Sequence, residues 1–248
     1  LARLTFLGVG DAVHPMGGTT SLLYQGQQKW LIECGPAIAN IAFRALGEPN
    51  GLDAIWVSHQ HADHCFGLPT LLLMLRLARR SKALNVVGGP GVASMIRDML
   101  ELGYPGAFRP NKCFPIHVRE VRPEQTFDAH GLRVTTARTH HSVPCYAMRI
   151  DEGTHAFCFS GDGHVSPESL ELFREADLVV HECQSAETAN ANHCRVADLE
   201  TLFTVSNVRQ LALVHCSALE RAAIAERSRV LYGRRAFLPE AGESVQIG

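Results

Sequence analysis

Between positions 59 and 64 the chain reads His59-Gln60-His61-Ala62-Asp63-His64, four metal-ligating side chains directly after an apolar, strand-like run at 54–58. Side chains two apart in an extended segment point the same way, so His59 and His61 can grip one ion. A turn into the helix that begins near Gly67 swings Asp63 and His64 toward a second. The pattern H-x-H-x-D-H arises by chance in roughly one such sequence in a thousand, which sets aside ordinary solvated loop histidines. The spacing therefore predicts two adjacent metals at a strand end, and a fold that brings further donors to it.

Four side chains do not fill two coordination spheres, and the sequence offers three more at matching places. His141 lies in His141-Ser142-Val143-Pro144 just before a strand, Asp162 follows an apolar run at 157–160, and His215 ends a strand at 211–214. Each is a polar residue at the end of an apolar strand, where a metal centre between strands draws its ligands.

The rest of the chain sets the frame. Its 248 residues are 46% hydrophobic and carry 23 basic against 25 acidic side chains, for a net charge of −2. That is a globular composition, long enough to bury a core without disulfide staples, and it does not describe a dedicated DNA binder. No repeat, low-complexity tract or linker divides the chain, so one domain over 1–248 is expected. The longest apolar run, 71–75, falls far short of the ~18 residues of a membrane span. No basic leader precedes the first strand, and the eight cysteines form no C-x-x-C pair. Reduced thiols, no structural disulfide and a cytoplasmic location are the expectation.

Eleven strand candidates alternate with five helices, at 68–80, 91–102, 167–175, 196–205 and 219–232. Ser166 before Pro167 is an N-cap with proline at the first helical position. So many strands exceed one modest sheet, which suggests two sheets packed face to face with helices outside. Gly88-Gly89-Pro90-Gly91 follows a strand and opens a helix, but it lacks G-x-G-x-x-G spacing and is read as a tight turn. Residues 76–138 hold eleven basic against five acidic side chains, either a solvated face or an attraction for phosphate-bearing substrates. Cys34, Cys65 and Cys216 lie near the site in sequence and are read as small packing residues.

With these residues in view, the chain resembles the metallo-β-lactamase-fold hydrolases, and within them most closely the ribonuclease Z branch. The resemblance runs nearly end to end. It takes in Leu4-Thr5-Phe6-Leu7-Gly8, Leu31-Ile32-Glu33-Cys34-Gly35, the histidine motif with Phe66-Gly67-Leu68-Pro69, and Val86-Val87-Gly88-Gly89-Pro90. It continues through His141 to Arg149-Ile150, Ser160-Gly161-Asp162, Val179-Val180-His181-Glu182 and Leu213-Val214-His215-Cys216-Ser217. The resemblance implies an α/β fold, the αββα four-layer sandwich of two mixed β-sheets flanked by helices. It also implies two zinc ions, with manganese or iron as alternative occupants. His59, His61 and His141 would hold one, Asp63, His64 and His215 the other, and Asp162 would bridge both. His141 rather than His140 is the ligand, because its distance to Ile150 matches the family pattern.

The same resemblance assigns chemistry. Two zinc ions about 3.5 to 4 Å apart lower the pKa of a shared water and clamp an in-line displacement. Asp63 would orient that water and take its proton, His193 would protonate the leaving oxygen, and Glu182 would hold His193. His181 is not read as a ligand. The expected activity is a zinc-dependent, dinuclear phosphodiesterase acting on RNA ends or small nucleotide-like phosphodiesters. Ester, thioester or lactone hydrolysis is the alternative, and a mononuclear iron oxygenase a second. The expected partners are a small phosphodiester or RNA substrate, neither membrane nor DNA, and a second copy of the chain, since relatives often dimerise.

The chain also departs from the family. Glu33 stands where aspartate is usual, Met148 where tyrosine is, and Gly163 where threonine is; His193-Cys194-Arg195 replaces His-Ser-Thr, and Ala218-Leu219-Glu220 replaces an Arg-Tyr stretch. Members that process tRNA commonly carry a long Gly-rich, basic arm between the positions of His141 and Asp162. Here only twenty residues separate them, which weakens precursor tRNA as a substrate.

Overall fold

The computed structural model describes residues 1–15 and 18–248. The first half runs β1 (Ala2–Gly8), β2 (Ser21–Gln25), β3 (Lys29–Ile32), α1 (Ala39–Leu46), β4 (Ala54–Val57), α2 (Ala62–Cys65), α3 (Leu68–Leu77), β5 (Leu84–Gly88), α4 (Val92–Gly103) and β6 (Ile116–Glu120). The second half runs β7 (Thr126–Ala129), β8 (Leu132–Thr139), β9 (Cys145–Glu152), β10 (His155–Phe159), α5 (Pro167–Leu172), β11 (Leu178–Glu182), a 3-10 turn (Val196–Leu199), α6 (Glu200–Thr204), β12 (Gln210–Val214), α7 (Arg221–Tyr232), β13 (Ala236–Phe237) and β14 (Ser244–Ile247). They form two seven-stranded mixed sheets, ordered β14-β1-β2-β3-β4-β5-β6 and β13-β12-β11-β10-β9-β8-β7.

Alternation along the strands sorts the core into layers. In β4, Ala54 and Trp56 face the space between the sheets, while Ile55 and Val57 face the outer helices. In β11, Leu178 and Val180 point inward and Val179 outward. Strands covered on both faces are apolar throughout, which is why β4 carries no polar residue. Ala42, Leu71 and Ile96 of α1, α3 and α4 cover the first sheet, and Phe173, Leu202 and Ile224 help cover the second. The result is the α/β, αββα sandwich. Among the described residues no helix is long and apolar enough to cross a membrane.

The structure adds elements that the sequence reading did not anticipate. These are β7, β13, β14, α1 and α2, all short; α1 lacks a side-chain N-cap to announce it. The helix expected at 196–205 is split into the 3-10 turn and α6. The helix expected at 68–80 stops at Leu77, because Arg79 takes a left-handed φ of 62° and Arg80 turns inward. The Arg80 guanidinium donates to the carbonyls of Pro49, Leu52 and Ala83, so this member of the basic stretch serves the fold. Ser166 does cap α5, its hydroxyl accepting from the Ser169 N–H.

Strand direction decides where the site forms. β10, β11 and β12 are parallel, and β8 shares their direction because β9 is antiparallel to both β8 and β10. Their carboxyl ends therefore meet at one edge of the sandwich, the place where open α/β sheets gather ligands.

Candidate metal centre

Strand ends of both sheets deliver the polar side chains. His59 follows β4, His61 precedes the single turn of α2 that carries Asp63 and His64, His141 follows β8, Asp162 follows β10, and His215 follows β12. The turn of α2 rotates Asp63 and His64 away from His59 and His61, so the motif divides into two donor groups. His59, His61 and His141 form one, and Asp63, His64, Asp162 and His215 the other; within each, the ligand atoms lie within 4.8 Å of one another.

Asp162 lies between the groups. Its Oδ2 is 3.3 Å from Nε2 of His64 and of His215, 3.8 Å from His59 Nε2 and 4.0 Å from His141 Nε2. The backbone around it is tightly specified. Gly161 and Gly163 flank it with φ of 64° and 105°, and a Cβ on Gly163 would come within 2.2 Å of the His140 carbonyl. Thr139 Oγ1 donates to the Asp162 carbonyl, and the Asp162 N–H donates to the Cys145 thiol at 3.2 Å. Only glycine fits such turns without strain, so the departure from threonine at Gly163 suits this local geometry.

In the first group the ring nitrogens face one another. His61 Nδ1 lies 3.1 Å from His59 Nε2 and 3.2 Å from His141 Nε2, three ring nitrogens converging on one point. The Asn192 carbonyl can only accept, so the His141 Nδ1 facing it at 3.0 Å carries the proton and its Nε2 presents a lone pair to the cluster. In the second group both nitrogens of His64 and Nδ1 of His215 are buried without a hydrogen bond. Converging imidazole and carboxylate donors with unsatisfied buried atoms are what a borderline-soft divalent ion requires, so these residues fit a metal.

Charge follows the same geometry. Burial pushes the Asp63 and Asp162 carboxyls up, but the neighbouring histidines, His64 and His215 above all, hold both well below the usual range. Burial pulls His64 and His215 down, and the carboxylates at Asp162 and Asp63 outweigh it and raise both. His59 and His141 go the other way, lowered by burial.

Around the donors lies a second ring of contacts. Glu33, fully buried with φ 64°, accepts the Ser58 N–H on one oxygen and places the other 3.6 Å from His64 Nδ1. Ser58 Oγ lies 2.9 Å from His59 Nδ1. Glu182, the last residue of β11, accepts from the Gly163 and Cys194 N–H groups and stands 3.4 Å from His193 Nδ1. The His193 ring stacks on His215 and meets His141 edge-on. Sequence reading missed the roles of Ser58, Cys145 and Asn192, whose surroundings in the chain carry no metal motif, and it noted Glu33 only as a departure.

Other residues are placed away from the centre. His140 is exposed and bridges to His164. His181 is buried with its ring edge-on to Phe173, toward the helical layer. The Gly88–Gly91 turn is closed to phosphate, since the Glu120 carboxylate accepts the Gly91 and Ala93 N–H groups at the start of α4. All eight cysteines are free, and seven of them are buried.

Comparison with known proteins supplies a family. A model of the family described as "Anti-Pycsar protein Apyc1" matches residues 2–230. The chain belongs to the anti-Pycsar protein Apyc1 family. Ribonuclease BN of Cronobacter sakazakii is 31% identical over 155 residues, covering 60% of the chain and 49% of that relative, so the match spans about half the relative's length. The Bacillus subtilis metallo-β-lactamase-fold protein YhfI superposes over 100% of the chain and 99% of its own, with a TM-score of 0.82 at 20% identity. The short form of human tRNase Z gives 0.79 at 23% identity, over 99% of each chain. This Apyc1-family chain thus has the metallo-β-lactamase fold and is similar in sequence to ribonucleases BN and Z. The donor groups fit a metal, and the sequence relatives named above are ribonucleases.

Proposed function

We propose that this chain is a dinuclear zinc phosphodiesterase, its site carried by one domain over 1–248 and acting on small nucleotide-like phosphodiesters in preference to tRNA. The observation that carries the two-ion reading is Asp162, whose single Oδ2 faces histidines of both donor groups. His59, His61 and His141 would hold one ion, Asp63, His64 and His215 the other, and Asp162 both. When bound, the pair supplies positive charge that polarises a phosphoryl oxygen and makes water nucleophilic near neutral pH.

The chain's own groups do the rest. Asp63, held ionised beside His64 and His215, orients the attacking water and accepts its proton. His193, backed by Glu182 and stacked on His215, donates a proton to the leaving oxygen. The preference for a small substrate rests on the segment between His141 and Asp162. It contains only the β9–β10 hairpin and short loops, with no arm to grip a tRNA. In this reading the chain is an anti-Pycsar protein, as its family is described.

Hydrolysis of bis(p-nitrophenyl) phosphate tests this reading, using zinc-loaded protein, chelated protein and Asp63→Ala. Turnover lost on chelation and in the variant supports it and leads to cyclic nucleotides and RNA ends. Absence of turnover by fully metallated protein would redirect the reading to carboxylic esters or thioesters.

A further inference from the structure

The loop between β11 and the 3-10 turn brings His193 to the centre and offers the Asn192 carbonyl to His141, yet it has no apolar anchor of its own. Between buried Ala186 and buried Cys194, residues 187–191 are exposed and 192–193 only partly covered. Hydrogen bonds must therefore fix this stretch; Ser185 and Arg195 donate to the carbonyls of Thr188 and Glu187, and three more meet at Asn190. The Asn190 Nδ2 donates to Gln184 Oε1 at 2.7 Å, and its Oδ1 accepts the Asn192 N–H at 2.8 Å. Its backbone carbonyl accepts from His164 Nε2 at 2.7 Å. An exposed asparagine ordinarily gives its amide to water. Here both ends of the amide are bonded within the loop, and the carbonyl ties the loop to the residue next to Gly163.

We infer that Asn190 is a positioning residue that sets the Asn192 carbonyl against His141 and holds His193 over Glu182, coupling the loop to the first donor group. The chain of contacts is continuous: Asn190 side chain to Asn192 N–H, Asn192 carbonyl to His141 Nδ1, and His141 Nε2 to His61. An outer hydrogen-bond partner of this kind fixes which ring nitrogen carries the proton and how the ring is aimed, and its loss typically weakens metal binding by about 10- to 100-fold. Asn190 acts one step further out, so the lower end applies. The inference rests on reading His141 as a metal ligand, and its test does not depend on turnover.

The experiment compares wild type, Asn190→Ala, Asn190→Asp and Gln184→Ala. In metal-free protein, long-range 1H–15N spectra report the His141 tautomer and the exchange of its Nδ1 proton; calorimetry then gives zinc affinity, and circular dichroism confirms the fold. Asn190→Ala should speed that exchange, weaken zinc binding about tenfold and leave the fold intact. Gln184→Ala should do the same in part. Asn190→Asp should restore both readouts, because a carboxylate still accepts the Asn192 N–H and the Gln184 amide can turn to donate. Unchanged exchange and affinity in Asn190→Ala would overturn the inference, as would an aspartate variant no better than alanine. If no phosphodiester is hydrolysed and these shifts still appear, the functional reading falls and the role of Asn190 stands.

Discussion

Asp162 Oδ2 stands 3.3 Å from His215 Nε2, a contact that joins the end of β10 to the end of β12 across the intervening β11. The same oxygen faces His64, His59 and His141, so one carboxylate ties together four imidazoles from three loops. Asp162→Asn keeps the shape and removes the charge. Zinc bound per chain should fall below that of wild type, and turnover by more than about a hundredfold, beyond the loss expected for an outer contact alone. Metal analysis after dialysis, with rates on the same samples, checks this.

Glu33 is one atom longer than the aspartate usual in the family, and the added reach brings its second oxygen toward His64. Glu33→Gln preserves the acceptor for the Ser58 N–H and turns an amide toward His64 in place of a charge. Zinc affinity should fall about tenfold or more, with only a modest change in melting temperature. A calorimetric titration of the variant beside wild type decides it, and equal affinities would show that Glu33 serves packing alone.

His193→Ala separates proton donation from metal binding. p-Nitrophenolate leaves without help, whereas a nucleoside alkoxide needs a proton. The variant should hydrolyse bis(p-nitrophenyl) phosphate at nearly the wild-type rate and lose about a hundredfold on a nucleotide diester. Equal losses on both substrates would remove His193 from the role of acid.

Tyr24 joins the sheets at some distance from the centre, its hydroxyl donating to Glu152 at 2.6 Å. Burial, then the Glu152 hydrogen bond and charge, raise its pKa well above the ordinary 10.0. Tyr24→Phe should cost about 1.5 kcal/mol at neutral pH, the range for a hydrogen bond to a charged group. Because the folded pKa is raised, this contribution is complete below pH 10 and is lost as the pH rises above it. Denaturant melts from pH 7 to 11 should show wild type and variant converging at the alkaline end.

Burial pushes the thiols of Cys65, Cys145, Cys158 and Cys216 up to about 12. Cys113 is the one cysteine that is not fully covered. A disulfide reagent at pH 8 should label a single thiol quickly in native protein and all eight in denaturant. Rapid labelling of several would mean that the core beside the candidate metal centre opens readily.

Much of this architecture was legible in the chain itself. The motif at 59–64 carries its own geometry, since an extended pair followed by a helical turn divides four donors between two groups. Periodicity located the long strands, and the Ser166-Pro167 signal located the start of α5. What the sequence did not disclose has physical reasons. α1 begins without a cap, β13 has two residues, and α3 ends because Arg80 folds back onto three carbonyls rather than because of a breaker residue. The supporting contacts of Asn192, Ser58 and Cys145 depend on a backbone carbonyl, a hydroxyl and a thiol brought close by distant strands, and no local pattern marks them.

Whether hydrolysis needs two ions is read from the rate of bis(p-nitrophenyl) phosphate hydrolysis against zinc added per chain, starting from chelated protein. Activity should stay low through the first equivalent and reach a maximum at about two, as a two-metal site implies. A maximum already reached at one equivalent, or no activity at any loading, would contradict it.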